Sequence, residues 1–121
     1  MTARKTIVEQ YFEGFRQGDH EGILALLTDD VVWGLPGHAR REGKAAFDEE
    51  IENDAFTGRP TLAIDRLVEE GDVVIAIGTG AASFRTGETH RFAYCDVFTF
   101  AGDLICRVES YLVPLTGEAG A

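Results

Sequence analysis

The chain has 121 residues, of which 45% are hydrophobic and 26% charged, a composition typical of one globular domain and not of a disordered segment. Eleven Lys and Arg against 21 Asp and Glu give a formal net charge of −10, which disfavours nucleic acid and anionic membranes as partners because both attract clustered cations. No apolar run approaches the roughly 18 residues of a membrane span, and no signal-peptide-like stretch follows Met1. We expect a soluble cytoplasmic protein, a single domain over residues 1–121 with a short flexible tail after about residue 114.

The first part of the chain has the periodicity of two amphipathic helices. The apolar positions of the first helix share one face: Ile7, Val8, Tyr11, Phe12 and Phe15. Gly18 is predicted to end this helix, and Asp19 to cap the second. The second helix would bury Ile23, Leu24, Leu26 and Leu27.

A short strand is predicted at Val31–Trp33, and the Pro and Gly of residues 34–37 indicate a loop after it. A third helix should run from about Lys44 to Asp54, with Phe47 and Ile51 directed inward. The acidic stretch of residues 48–54 is then the solvated face of that helix.

From Thr61 onward the pattern changes to strands. The predicted strands cover residues 61–69, 73–84, 89–100 and 104–113, each separated from the next by a short turn that contains glycine. Helices followed by an antiparallel meander predict an α+β fold in which three helices cover one face of a strongly curved sheet. Gly78 and Gly80 lie on one face of a strand and indicate sharp curvature or a close backbone approach. Such a cone leaves a pocket at its open end, where we expect a ligand.

Asp96 is the residue that looks out of place. Strand alternation puts it in a row with four aromatic side chains: Phe92, Tyr94, Phe98 and Phe100. A carboxylate in such a row must be paired, hydrogen-bonded or protonated, because burying a bare charge is costly. Either Asp96 is paired with an Arg or with backbone N–H groups, or it is a functional carboxyl with a raised pKa at a pocket wall.

The run from Ile7 to Leu112 resembles the ketosteroid isomerase and polyketide-cyclase-like (SnoaL-like) branch of the nuclear transport factor 2-like superfamily. The resemblance is carried by residues 8–12, 17–33, 42–46 and 95–100, above all by Gln17-Gly-Asp followed by a Leu-rich helix and by Asp29-Asp30 before a strand. It implies a cone-shaped fold. It marks the activity less well, since the superfamily holds isomerases, dehydratases, cyclases, epoxide hydrolases and non-catalytic binders.

Ketosteroid isomerase offers a partial match of site residues. That enzyme binds an oxyanion with a Tyr of the first helix and a protonated Asp of a late strand, and Tyr11 and Asp96 fall at the matching places. A carboxylic acid kept neutral in an apolar site is a known device of that enzyme. Its general base is an Asp just before a Pro, where this chain has Leu35 before Pro36. The resemblance therefore implies the oxyanion pair without the usual base.

Glu109 and His38 are the candidates for moving a proton in place of that base. Alternation predicts one face for Ile105, Arg107, Glu109, Tyr111 and Val113. Glu109 matches roughly the place of a catalytic Asp in the epoxide hydrolases of the superfamily, whose further Arg and Asp are replaced here by Gly78 and Gly80. Alternatively, Glu109 forms a cross-strand ion pair with a neighbour of Arg107 or lies at a solvated edge position. His38 lies in the glycine-rich loop beside Leu35, near the expected pocket mouth, or is simply solvated.

We expect no cofactor and no metal ion. The histidines fit no metal-ligand spacing, and we place His20 and His90 at the surface. Cys95 and Cys106 form no CxxC motif, so two buried free thiols are expected.

Two hypotheses follow. The first is an isomerase- or polyketide-cyclase-like enzyme acting on a small apolar carbonyl compound through Tyr11 and Asp96, with Glu109 or His38 as proton carrier. The second is a non-catalytic protein that binds a hydrophobic small molecule. In both, the ligand would be lined by Phe12, Phe15, Trp33, Leu35, Phe47, Phe92, Tyr94, Phe98 and Arg107. The resemblance also implies a homodimer formed through the outer face of the sheet.

Overall fold

The computed structural model describes residues 2–51 and 56–115. Within these residues it has three helices, α1 (Ala3–Gln17), α2 (His20–Leu24) and α3 (Lys44–Ile51). The strands are β1 (Leu27–Leu35), β2 (Ala39–Glu42), β3 (Phe56–Glu70), β4 (Val73–Phe84), β5 (Thr89–Ala101) and β6 (Leu104–Leu115). They form one sheet in the order β2-β1-β6-β5-β4-β3. The predicted α+β architecture, helices against a curved and unclosed sheet, is confirmed.

The helix boundaries near the N-terminus follow from local capping. Thr2 caps α1 by accepting a hydrogen bond from the Lys5 amide, and Gly18 ends it in the left-handed conformation with φ +64°. Asp19 then caps α2 through the Gly22 amide. The end of α1 at Gly18 and the cap of α2 at Asp19 agree with the sequence prediction.

The region after α2 differs from the prediction. The second helix ends at Leu24, so Leu27 begins β1 instead of continuing the helix. Strand β1 is longer than predicted and includes Gly34 and Leu35, which leaves a turn at residues 36–38. Strand β2 was not predicted, because Ala39-Arg-Arg-Glu42 has no alternation of apolar and polar residues. The predicted end of the third helix at Asp54 and the tail from residue 116 lie outside the described residues.

Strand β1 lies second from one edge of the sheet, between β2 and β6. It pairs with β6 in parallel, with Trp33 opposite Val108, and with β2 in antiparallel orientation. The other neighbouring pairs are antiparallel. Strand β1 therefore belongs to the same sheet as the later hairpins, and its pairing with β6 brings Trp33 beside Val108.

Close backbone contacts accompany the curvature of the sheet. The register of β3 against β4 shifts between Ile64 and Arg66, so Asp65 is an extra residue opposite the Gly78 region. A Cβ atom added at Gly78 would lie 1.9 Å from the Ala63 carbonyl oxygen, and one at Gly80 would lie 2.6 Å from the Thr61 carbonyl oxygen. Only glycine fits such an approach, as the sequence predicted.

The core lies between α1 and the concave face of the sheet. Tyr94, Asp96, Phe98 and Phe100 of β5 are all buried, and Phe92 is half-buried, so the predicted row is confirmed. The Phe12 ring of α1 stacks on Tyr94 with the ring centroids 5.4 Å apart. Asp96 therefore lies inside the main apolar core.

Candidate functional site

Asp96 is a buried carboxyl without a charged partner among the described residues. Its side chain is 8% exposed, and its Oδ1 atom makes no hydrogen bond within the described part of the chain. Burial raises the pKa of Asp96 from 3.8 to about 7, and a hydrogen bond from Ser110 opposes this by lowering the pKa. Asp96 therefore exchanges a proton near neutral pH, and among the described residues no Arg forms an ion pair with it.

Tyr11 of α1 is buried in the same core as Asp96, within range of its electrostatic effect. Its ring is 4% exposed and meets the Phe98 ring edge-on at a centroid distance of 4.9 Å. Burial, and next the nearby Asp96 carboxylate, raise the pKa of Tyr11 well above its ordinary value. Tyr11 therefore stays protonated, and the fold brings together the phenol and the carboxyl that the sequence singled out.

Ser110 and Trp33 complete the polar group at the centre of the sheet. Ser110 lies opposite Asp96 in the β5–β6 register and is 7% exposed. The Trp33 indole donates a hydrogen bond from Nε1 to Ser110 Oγ at 3.2 Å. Sequence reasoning missed Ser110, because the alternation predicted for the last strand assigned it to the outer face.

The predicted lining residues largely contact one another. Tyr11 meets Phe15 and Phe47 at centroid distances of 4.9 and 6.2 Å. The Tyr94 hydroxyl donates to the Ala63 carbonyl oxygen at 2.7 Å, so its donor is already used. These aromatic side chains therefore form the packing around Tyr11 and Asp96.

Glu109 and Arg107 lie on the outer face of the sheet, whereas Asp96 points to the inner face. The β5–β6 register shifts at Thr99/Phe100, which makes Cys106 an extra residue in β6. Ile105 and Val108 are consequently both buried, although they are three positions apart. From Arg107 onward, each residue of β6 lies on the face opposite the one predicted by alternation from Ile105. The prediction that Ile105 shares a face with Glu109 is thus wrong. Glu109 instead forms an ion pair with Arg107, with Nε and Oε1 3.4 Å apart.

His38 lies in the exposed turn between β1 and β2. Its backbone amide donates to the Leu35 carbonyl oxygen at 2.8 Å, and its side chain faces solvent. Leu35, at the position of the usual base, is half-buried. His38 is therefore close to that position in the chain but outside the buried group around Asp96.

The remaining histidines and the cysteines belong to other parts of the fold. His20 is half-buried, with its Nδ1 2.6 Å from Asp48 Oδ1, so it joins α2 to α3. His90 is exposed, as expected. Cys95 and Cys106 are free thiols, but both are half-buried instead of buried. Among the described residues, no group of three or more His, Cys, Asp and Glu side chains is arranged to hold a metal ion.

A shallow open groove lies on the outside of the fold between α1 and β3. Its lining residues are Thr6, Glu9, Gln10, Glu13, Arg16 and Ile64. None of them belongs to the group around Asp96. Within the described residues, every helix is too short or too polar to cross a bilayer.

Comparison with known proteins places this geometry in a family. Residues 8–108 match the family model of the SnoaL-like domain, whereas no curated protein sequence matches significantly. A candidate polyketide cyclase from Xanthomonas campestris is 27% identical with a TM-score of 0.81, over 90% of this chain and 89% of that one.

Two further solved structures share the fold. TerC, crystallised with polyporic acid, is 24% identical with a TM-score of 0.81, over 90% of each chain. An epoxide hydrolase of the LEH-like type from M. tuberculosis is 21% identical with a TM-score of 0.81, over 92% of this chain and 83% of that one. The chain belongs to the SnoaL-like domain family of the nuclear transport factor 2-like superfamily.

Proposed function

We propose that the protein is an isomerase- or polyketide-cyclase-like enzyme that acts on a small apolar carbonyl compound by acid–base chemistry. The observation that carries this proposal is the buried Asp96 carboxyl, whose Oδ1 has no partner among the described residues and whose pKa is raised to about 7. A buried polar atom left without a hydrogen bond costs about 1–3 kcal/mol. A ligand oxygen would supply that missing partner.

Tyr11 and Asp96 have the chemistry to stabilise negative charge on that oxygen. When protonated, both are hydrogen-bond donors, and both lie among aromatic rings that exclude water. Donors in such surroundings stabilise a developing oxyanion more strongly than water does, because they are already oriented and their environment is apolar. The pair would therefore lower the barrier for removing a proton next to the carbonyl group.

His38 is the proton carrier in this proposal. Leu35 has no acid–base function, and Glu109 is on the opposite face of the sheet from Asp96. The imidazole of His38 is in the turn that directly follows Leu35, and an imidazole is suited to proton transfer near neutral pH. In this proposal, the turn brings His38 over the ligand when the ligand binds.

Non-catalytic binding of a hydrophobic small molecule is the second candidate. It is favoured by the exposure of His38 and by the absence of an acid–base side chain at Leu35. TerC, which has the same fold, was crystallised with the small molecule polyporic acid. In this case Tyr11 and Asp96 would anchor a ligand oxygen without any reaction.

Hydrogen–deuterium exchange on alkyl-substituted cyclohexenones in D₂O, followed by NMR, distinguishes the two. The enzyme proposal expects exchange above the buffer rate, reduced at least 100-fold in Asp96→Asn because one oxyanion donor is weakened. It also expects a strong reduction in His38→Ala. Asp103→Asn, a change of the same kind in the exposed β5–β6 turn, is the control. Equal rates in wild type and Asp96→Asn would overturn the enzyme proposal, and enone-induced shifts of Tyr11 and Asp96 resonances without exchange would favour binding alone.

We also propose that two copies associate through the outer face of the sheet. Tyr111 and Val113 are 45% and 59% exposed on that face of β6, and they present neighbouring apolar surface that a second copy would cover. Sedimentation of the wild type at micromolar concentration should give a dimer, and Val113→Lys a monomer. Leu104→Lys, at the sheet end, is the control. A monomeric wild type would contradict this proposal.

A further inference from the structure

Ser110 and Asp96 are the buried polar side chains at the centre of the sheet, and they lie on adjacent strands. Asp96 of β5 is directly opposite Ser110 of β6, and Trp33 of the neighbouring β1 donates to Ser110 Oγ. The three side chains therefore form a line across three strands. Among the described residues, no charged side chain forms an ion pair with Asp96.

The chemistry of Trp33 fixes the direction of this line. An indole N–H donates a hydrogen bond and cannot accept one. Ser110 Oγ is therefore the acceptor of Trp33, and the hydroxyl hydrogen of Ser110 is left to donate to Asp96. That bond favours the charged carboxylate and lowers the pKa of Asp96 against the larger effect of burial. Trp33 thus donates, Ser110 both accepts and donates, and one oxygen of Asp96 accepts.

The direction of the line determines which carboxyl oxygen carries the proton. A carboxyl oxygen that accepts the Ser110 hydrogen is a poor place for the acid proton, because two hydrogens would face each other. Oδ1 of Asp96 makes no hydrogen bond to the described residues. The acid proton is therefore expected on Oδ1, where it is free to be donated.

We propose that Trp33 and Ser110 are positioning residues that make protonated Asp96 a hydrogen-bond donor through Oδ1. This inference rests on the proposed function insofar as the acceptor is the ligand oxygen. The titratable groups that interact electrostatically with Asp96 are Tyr11 of α1 and Tyr94 of β5; burial, and next the Asp96 carboxylate, raise the pKa of both, so both are neutral phenols near pH 7. Trp33 reaches Asp96 through Ser110 in this line, so a change at Trp33 tests the line itself.

The first test is an NMR titration of the ¹³C-labelled Asp96 carboxyl group, which requires no ligand. Ser110→Ala should raise the pKa of Asp96 above about 7, because the bond that favours the carboxylate is lost. Trp33→Phe should move it in the same direction, because the Ser110 hydroxyl is then free to turn and accept. Ser110→Thr keeps a hydroxyl and should restore the wild-type value. Ser83→Ala, at a hydroxyl bonded to Thr89 in the exposed hairpin end, is the matched control. An unchanged pKa in either Ser110→Ala or Trp33→Phe would overturn the inference.

The second test measures donation with 4-nitrophenol, a small aromatic probe whose absorption reports hydrogen bonds to its phenolic oxygen. At pH 6, where Asp96 is mostly protonated, Ser110→Ala and Trp33→Phe should each weaken probe binding roughly tenfold, the effect of one hydrogen bond. Full-strength binding in both variants would overturn the positioning role. A wild type that binds no 4-nitrophenol and exchanges no enone proton would overturn the proposed function instead. The titration would then still decide whether Trp33 and Ser110 direct the Asp96 proton.

Discussion

Replacing Asp96 by Asn should change the pH dependence of stability far more than the same replacement at an exposed carboxylate such as Asp103. Asn has nearly the shape of Asp but stays neutral at every pH. In the wild type, burial raises the pKa of Asp96 from 3.8 to about 7. Between these two values the folded state holds a proton that the unfolded state has released. The free energy of unfolding therefore falls as the pH rises through this window.

The magnitude follows from the size of this pKa difference. At 1.36 kcal/mol per pKa unit, moving from 3.8 to about 7 corresponds to about 4 kcal/mol. This stability is fully present below pH 4 and lost above pH 7. Asp96→Asn lacks the titration, so its stability advantage over the wild type should grow by about 4 kcal/mol between pH 4 and pH 8.

Urea unfolding of both proteins at intervals from pH 4 to pH 8 measures this difference. Any fixed effect of the amide group is the same at each pH, so the slope of the difference is the decisive quantity. Asp103→Asn, in the exposed turn, controls for removing one charge from an acidic protein. A difference between Asp96→Asn and the wild type that stays constant over the whole range would refute the reasoning, since Asp96 would then titrate in the fold as it does in the unfolded chain.

Two further predictions concern the bend of the sheet. Gly78→Ala should lower the free energy of unfolding by about 2–3 kcal/mol, because its Cβ would meet the Ala63 carbonyl oxygen at 1.9 Å. Thermal unfolding measures this loss. The control is Gly34→Ala, where an added Cβ meets nothing within 4 Å, and it should change stability far less. Equal losses in the two variants would contradict the close approach. Tyr94→Phe should lower the free energy of unfolding by about 1–2 kcal/mol in urea unfolding, because it leaves the Ala63 carbonyl oxygen without its 2.7 Å hydrogen bond. Tyr111→Phe, whose hydroxyl makes only an exposed 3.4 Å contact with Glu109, should cost little. A larger loss at Tyr111 than at Tyr94 would contradict the role given to the Tyr94 hydrogen bond.

Periodicity and capping residues were sufficient to predict most of the fold. The spacing of Val8, Tyr11 and Phe12 fixed the buried face of α1, and Gly18 and Asp19 marked the break after it. The strand at 73–84 was predicted with the bounds that the structure has. These features depend on interactions within a few residues, so they can be read from a single sequence.

Features set by distant partners could not be predicted in the same way. The extra residue Cys106 moves every later residue of β6 to the face opposite the one that simple alternation predicts. The partner strand β5 has no extra residue at this point, and the local sequence of β6 does not indicate that difference. This single bulge accounts for the wrong face of Glu109 and for the missed Ser110. Asp96 was found because its own strand alternates without interruption across the site.

The parallel pairing of β1 with β6 has a consequence for synthesis on the ribosome. Trp33 and its neighbour Val108 are roughly 75 positions apart in the chain, and at 5–20 residues per second that interval takes roughly 4–15 s to translate. During this time the edge of β1 that pairs with β6 has no hydrogen-bonding partner, and the hydrogen-bonded line from Trp33 to Asp96 does not exist. The helices and the first hairpins can form early, but the site is assembled only when the last strand emerges. A product that stalls before β6 would therefore have much of the sheet but would lack Ser110 and its contact with Asp96.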